Sequence, residues 1–229
     1  MGSDMVTNYK FLNFITSIFV AVLLISNIAS TKVVEFGFFT FDGGTLLFPV
    51  SYVLGDILTE VYGFKEARKI IWMGFLSAAL MSFVIWLVGI LPAAPEWTNQ
   101  ESYNIILGTN HRIVFGSLSA YFLGSLSNSI ILSKMKIFTN GKYLWTRTIG
   151  STIIGEAIDT SIFIFIAFFG IFSNSLLFSI FISNYIFKVG FEVMLTPVTY
   201  KAVSILKNIE KIDVYDTNIS YNPFLFLSR

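Results

Sequence analysis

Six ionisable side chains interrupt otherwise apolar stretches of this sequence: Asp56, Glu60, Glu156, Asp159, Lys188 and Glu192. Their spacing is helical. Tyr52, Asp56 and Glu60 recur at i, i+4 and i+8, and so do Asn184, Lys188 and Glu192. Glu156 and Asp159 are three apart, beside a stripe of Ser151, Gly155 and Asp159. On a helix such positions share a face. Carboxylates held in this way accept hydrogen bonds, attract cations and exchange protons. Inside a bilayer each charge costs roughly 2.5–3.5 kcal/mol on insertion scales, so its default reading is a functional one.

The surrounding chain supplies the bilayer setting. Of 229 residues, 55% are hydrophobic and 13% charged, and the mean hydropathy is +0.73. A soluble domain carries about 25% charged residues. A net charge of +1 offers no field for nucleic acid, and no nucleic-acid partner is expected. The absence of cysteine excludes disulfides and thiolate chemistry, and the single histidine, His111, builds no metal site. No cofactor and no metal are expected.

A crossing helix needs about 20 apolar residues. Six stretches qualify: Phe11–Thr31, Thr45–Tyr62, Ile70–Leu91, Ile113–Ser133, Thr148–Phe172 and Leu176–Val198, the last with an amphipathic continuation to Leu206. The expected fold is an all-α integral membrane protein, a bundle of six transmembrane helices. Residues 1–10 read as a cytoplasmic N-terminal segment whose first four residues resemble an expression remnant. Residues 11–206 form the transmembrane domain, and 207–229 a cytoplasmic tail whose Pro223–Leu227 stretch suits the membrane surface. The first span is too long for a signal-peptide core. Twelve of the 15 Lys and Arg residues fall at one set of span ends, which places both termini in the cytoplasm.

Depth ties the charges together. Asp56 lies 11 residues into its span, Asp159 11 and Lys188 12. At 1.5 Å per residue each is about 16–18 Å along its helix, near the midplane of a ~30 Å core. Glu60, Glu156 and Glu192 fall toward the cytoplasmic half. Five acids against one Lys leave an excess of four. Either some are protonated, or a cationic or hydrogen-bond-donating ligand meets them. Structural ion pairing, with Lys188 joined to Glu192 or to an acid of another span, is the plain alternative. Asn128 either reaches the cavity or packs between helices. Asn27 either lines the outer half or bonds a neighbouring helix, and Lys32 stands at its mouth. Gly116, Ala120 and Gly124 make a packing ridge. Pro49 and Pro197 are expected to break spans near their ends, and Lys65, Arg68 and Lys69 to set topology.

The segment Phe48-Pro49-Val50-Ser51-Tyr52-Val53-Leu54-Gly55-Asp56-Ile57-Leu58-Thr59-Glu60-Val61-Tyr62-Gly63-Phe64, followed by Ala67-Arg68, resembles the signature of the vitamin uptake transporter family, also called queuosine-precursor transporters. Ser26-Asn27 with Lys32, Trp145-x-Arg147-x-x-x-Ser151, Gly155-Glu156-x-x-Asp159-Thr160, Ile166-Ala167-Phe168-Phe169-Gly170 and Lys188-x-x-x-Glu192-x-x-x-Thr196-Pro197 fit as well. Ser127-Asn128 departs from an acid that some relatives carry. The resemblance implies a multi-pass inner-membrane importer, not an enzyme. Its small-molecule substrates would be 7-cyano-7-deazaguanine and 7-aminomethyl-7-deazaguanine, its surroundings the lipid bilayer. A homodimer is compatible with it. A carboxylate can accept both donors of a guanine edge, and Tyr52 can stack on the base. On this reading one of Glu60, Glu156 and Glu192 grips the edge, with Asp56 and Asp159 around it. Lys188 holds the layer, and Asn27 and Lys32 line the outer approach.

Two other functions fit the same residues. One is the substrate-binding subunit of an energy-coupling-factor transporter. The other is an intramembrane aspartyl-type enzyme using Asp56 and Asp159, although Leu54-Gly55-Asp56 lacks the first glycine of the usual Gly-x-Gly-Asp pattern.

Overall fold

Helices make up most of the computed structural model, which describes residues 9–36, 39–108, 111–171 and 173–225. The first eight residues and the last four, parts of the expected terminal segments, lie outside the described residues. Helix α1 (Leu12–Ala29) leads into a hairpin of β1 (Val33–Phe36) and β2 (Phe39–Asp42) and then a 3-10 turn, Gly43–Leu46. Helices α2 (Phe48–Tyr62), α3 (Phe64–Ile90), α4 (Gln100–Leu107), α5 (His111–Phe138), α6 (Leu144–Phe168) and α7 (Asn174–Glu210) follow.

Five stretches are long and apolar enough to cross a membrane: α1, α3, Gln100–Phe138 (which contains α5), α6 and α7. The expected second span is different. Gly43 and Gly44 fall in the 3-10 turn, and Pro49 sits in the first helical turn, where its missing N–H costs nothing. The helix is thereby cut to 15 residues, about 22 Å long. It is also the most enclosed helix, with 11 of its 15 residues buried, and α1, α3, α5 and α7 pack around it. A short helix bearing two carboxylates is tolerable in this position because protein, not lipid, surrounds it. The lipid-facing surface belongs to the others, through exposed Phe14 and Ile25 of α1, Met73, Leu80 and Phe83 of α3, and Phe178 and Met194 of α7.

The fold is all-helical apart from one short hairpin, in which the segment after α1 pairs antiparallel, Val33 opposite Asp42 and Phe36 opposite Phe39. One further expectation needs correction. Pro197 does not break its span: α7 continues through it for 37 residues. The missing amide leaves the Val193 carbonyl without its usual donor, but tertiary packing on α2 and α6 keeps the helix continuous. The described part of the tail is strapped to the bundle.

The strap starts at Gly63, whose φ of +83° turns α2 into α3. A side chain there would meet Val214 and Asp216 of the tail. Asp216 accepts the Phe64 amide at 2.8 Å and the Ser133 hydroxyl at 2.6 Å. Lys136, only 2% exposed, donates to Asp213 and to the Val214 carbonyl. Arg68, an end charge by its place in the sequence, is buried and donates to the carbonyls of Ser220, Asn222 and Leu225 at 2.9, 2.7 and 3.1 Å. Trp72 donates to the Pro223 carbonyl, while Phe224 stays exposed. At the same end Glu210 accepts the amides of Lys10 and Phe11, supplying from α7 the cap that α1 lacks in its own sequence.

Replacing Arg68 by Ala removes three charge-assisted bonds and is expected to free residues 211–225. Protease should cleave after Lys211 faster than in the parent, and thermal unfolding should fall by several degrees, for a loss of about 2–3 kcal/mol. Unchanged cleavage would contradict the strap. Acid should act in the same direction. Burial pushes the Asp213 carboxyl up, but the hydrogen bonds and charges of Lys136 and Lys207 outweigh it and hold the group below the ordinary aspartate range. A depressed carboxyl stabilises fully above its unfolded value and loses that contribution as pH falls through the folded one. Protection of residues 211–225 from hydrogen exchange, relative to the intrinsic rate at each pH, should therefore stay high at neutral pH and fall only below about pH 4.

Candidate functional site

The closest helix pair is α5 with α6. The reason is the small-residue ridge: a Cβ on Gly124 would stand 3.1 Å from the Gly155 carbonyl, and one on Gly155 would stand 3.2 Å from that of Gly124. The ridge is thus a packing feature, and it sets the side chains beside it. Asn128, one turn beyond Gly124, comes against Gly155 and reaches α2, where it donates to Asp56 Oδ1 at 2.6 Å.

Around this contact the sequence-predicted residues gather in two linked groups. In the first, Asp56 is fully buried, bonded to Asn128, and faces Glu192 of α7. Thr152 of α6 faces Glu192 as well. In the second, Lys188 of α7 donates to Asp159 at 2.6 Å and lies 3.0 Å from Glu156 Oε2. Lys188 also stands over the Phe48 ring, 5.5 Å from its centre. Tyr52 joins the groups, its hydroxyl near Glu156. The pairing of Lys188 therefore runs to another helix and not to Glu192 within its own.

Buried polar groups in proteins are almost always hydrogen-bonded. Among the described residues, seven buried side-chain atoms have no hydrogen-bond partner, and six of them lie in this layer: Tyr52 Oη, Asp56 Oδ2, Asn128 Oδ1, Thr152 Oγ1, Glu156 Oε2 and Thr160 Oγ1. Glu156 Oε2 has its ion pair with Lys188 but lies off the hydrogen-bond direction. A cavity of about 20 Å³ touches the layer at Tyr52, Gly55, Ser125 and Asn128, room for about one water. A larger apolar hollow of about 390 Å³, lined by Phe83, Trp86, Val114 and Leu118, lies elsewhere between α3 and α5.

Glu60 stands apart from the layer. It is fully buried and takes a two-pronged contact from Arg147, Nε to Oε2 at 2.8 Å and Nη2 to Oε1 at 2.9 Å. Lys207 adds a bond at 2.6 Å, and Lys136 lies at 3.5 Å. The remaining Arg147 donors go to the carbonyls of Gly141 and Lys142 and to Thr139. The turn that offers those carbonyls needs positive φ at Asn140, Gly141 and Tyr143. The structure therefore places Glu60 in a matched ionic lock toward the basic end. Four acids and one Lys remain in the central layer, an excess of three instead of four.

Asn27 and Lys32 are not brought into the layer. Asn27 donates to the Leu23 carbonyl of its own helix and accepts a long 3.5 Å contact from Ser117. Lys32 is exposed beyond the end of α1. Two residues of the layer escaped the sequence reading, Thr152 and Thr160. They lie four residues either side of Glu156, so the same periodicity that found Asp56 would have found them. Arg147, Lys136 and Lys207 were missed because they were counted as end charges.

Residues 42–202 match the family described as "Putative vitamin uptake transporter". A Bacillus subtilis (strain 168) protein named "Probable queuosine precursor transporter" is 31% identical over 187 residues, 81% of this chain and 82% of that one. An Escherichia coli (strain K12) protein named "Queuosine precursor transporter" is 27% identical over 161 residues, 70% of each chain. No solved structure matches the chain at a significant level.

The lock around Glu60 is open to a stability test. Glu60→Ala leaves three cations without their buried acid and is expected to cost about 3–5 kcal/mol, read as a lower unfolding temperature in detergent. Arg147→Lys keeps the charge but not the fork, and should fall between the parent and Glu60→Ala. Equal unfolding temperatures for all three would contradict the lock.

Proposed function

The chain belongs to the vitamin uptake transporter family, and from that premise we propose that it imports queuosine precursors through the polar layer shared by α2, α5, α6 and α7. The substrates are 7-deazaguanine bases, 7-cyano-7-deazaguanine and 7-aminomethyl-7-deazaguanine. The membrane is the inner one, with both termini cytoplasmic; α2 serves as the short sixth helix within residues 11–206. The names of the relatives support the substrate class, and the clustering of Lys and Arg supports the orientation.

The observation that carries the site is the set of six unpartnered buried polar atoms in one layer. A flat base rich in donors and acceptors satisfies such atoms. Glu156 and Glu192 are then the carboxyls available to the guanine edge, because Glu60 is held by Arg147 and Lys207. Asp56 and Asp159 flank them, Lys188 steadies Glu156 and Asp159, and Tyr52 offers a stacking face. The cavity of about 20 Å³ is too small for a base, so binding requires these helices to part. The Glu60 lock and the strap then close the cytoplasmic side.

The test is uptake of labelled precursor into vesicles holding this chain alone. The parent should transport. Asp56→Asn, Glu156→Gln and Asp159→Asn should each lose uptake while inserting normally in the membrane. Full uptake in all three would remove the site. Uptake that appears only when a partner ATPase is added would favour the energy-coupling-factor reading instead.

A further inference from the structure

The unpartnered atoms of the central layer divide evenly into acceptors and hydroxyls, so what is unbalanced there is charge. Asp56 Oδ2, Asn128 Oδ1 and Glu156 Oε2 can only accept while the carboxyls are ionised. Tyr52, Thr152 and Thr160 carry hydroxyls, each with one proton to give. All six residues are at least nine-tenths buried, at 0% exposure for Asp56, 2% for Asn128 and Glu156, and 8% for Tyr52.

The cations that could offset the acids of the layer are engaged already. The Lys188 ammonium is held between Asp159 and Glu156. The Asn128 amide already donates to the other oxygen of Asp56. Arg147, Lys136 and Lys207, the nearest further cations, are bound to Glu60, to Asp213 and to backbone carbonyls. Facing this shortage are Asp56, Glu156, Asp159 and Glu192, four acids from three helices. Water or any neutral ligand can answer the unpartnered atoms, but only a ligand that brings positive charge also offsets the acids.

We infer that the layer selects for a cation: of two precursors alike in their base, the one bearing an ammonium is favoured over the one bearing a nitrile. A nitrile is an acceptor with no hydrogen to give, so beside Asp56, Glu156 or Glu192 it adds an acceptor and no charge to a site already rich in acids. An aminomethyl group presents three N–H donors and a charge at the same point of the molecule. This inference rests on the transport reading above and sharpens it to a preference between its substrates.

The experiment is competitive uptake in vesicles containing the full chain, with labelled 7-aminomethyl-7-deazaguanine and 7-cyano-7-deazaguanine each measured alone and against the other. The difference between a charge-assisted and a neutral hydrogen bond leads to an expected ratio of kcat/KM of about tenfold in favour of the amine. Glu192→Gln keeps the shape of the side chain and removes one acid. It should bring the ratio down toward one, lowering uptake of both compounds but that of the amine several-fold more than that of the nitrile. If the variant fails to insert, the ratio in the parent decides alone. Equal uptake, or preference for the nitrile, overturns the selection and leaves the transport reading standing. Uptake of neither compound overturns both.

Discussion

A carboxylate buried among apolar helices has to be matched where it lies, and Glu60 is matched by cations from three other helices. Arg147 of α6 grips it with two parallel bonds, Lys207 of α7 adds a third, and Lys136 of α5 stands within 3.5 Å. The acid itself belongs to α2, which is too short to present a complete apolar face to lipid. Removing one member of such a group leaves the others desolvated and uncompensated. The same contact therefore fixes α2 at the centre and gathers α5, α6 and α7 around it. Lys136 and Lys207 extend it to Asp213, so the strap is tied to the same point.

With that end secured, the layer one turn deeper is left with its mismatch. Asp56 lies four residues before Glu60 on the same face, yet it meets an amide and another carboxyl where Glu60 meets cations. Two acids of one motif thus divide the work. One holds the bundle together, and the other lies in a layer where four acids share one lysine. Close packing of α5 on α6 through Gly124 and Gly155 brings Asn128 against α6 at the residue before Glu156.

Much of this layer was legible from residue spacing, because a charge inside an apolar run stands out and 1.5 Å per residue fixes its depth. Asp56, Glu156, Asp159, Lys188 and Glu192 come together as that arithmetic expects. What it could not show was how far a long basic side chain reaches inward from a helix end. Lys136 and Arg147 look like end charges by position, yet both are buried against Glu60. The hairpin after α1 had a signal in its β-branched and aromatic residues, Val33-Val34 and Phe39-Thr40-Phe41, which apolar-run counting overlooks. The strap had none, since its contacts are mostly to backbone carbonyls and depend on no periodic pattern.

The central claim is that polar groups of separate helices meet in mid-bilayer and part there to admit one ligand. The chain has no cysteine, so a single one introduced at Thr152 reports on that region alone. A water-soluble thiol reagent should label it in vesicles under transport conditions, and 7-aminomethyl-7-deazaguanine should protect it in proportion to its occupancy of the transporter. Labelling only by lipid-soluble reagents, or labelling indifferent to the base, would contradict the account.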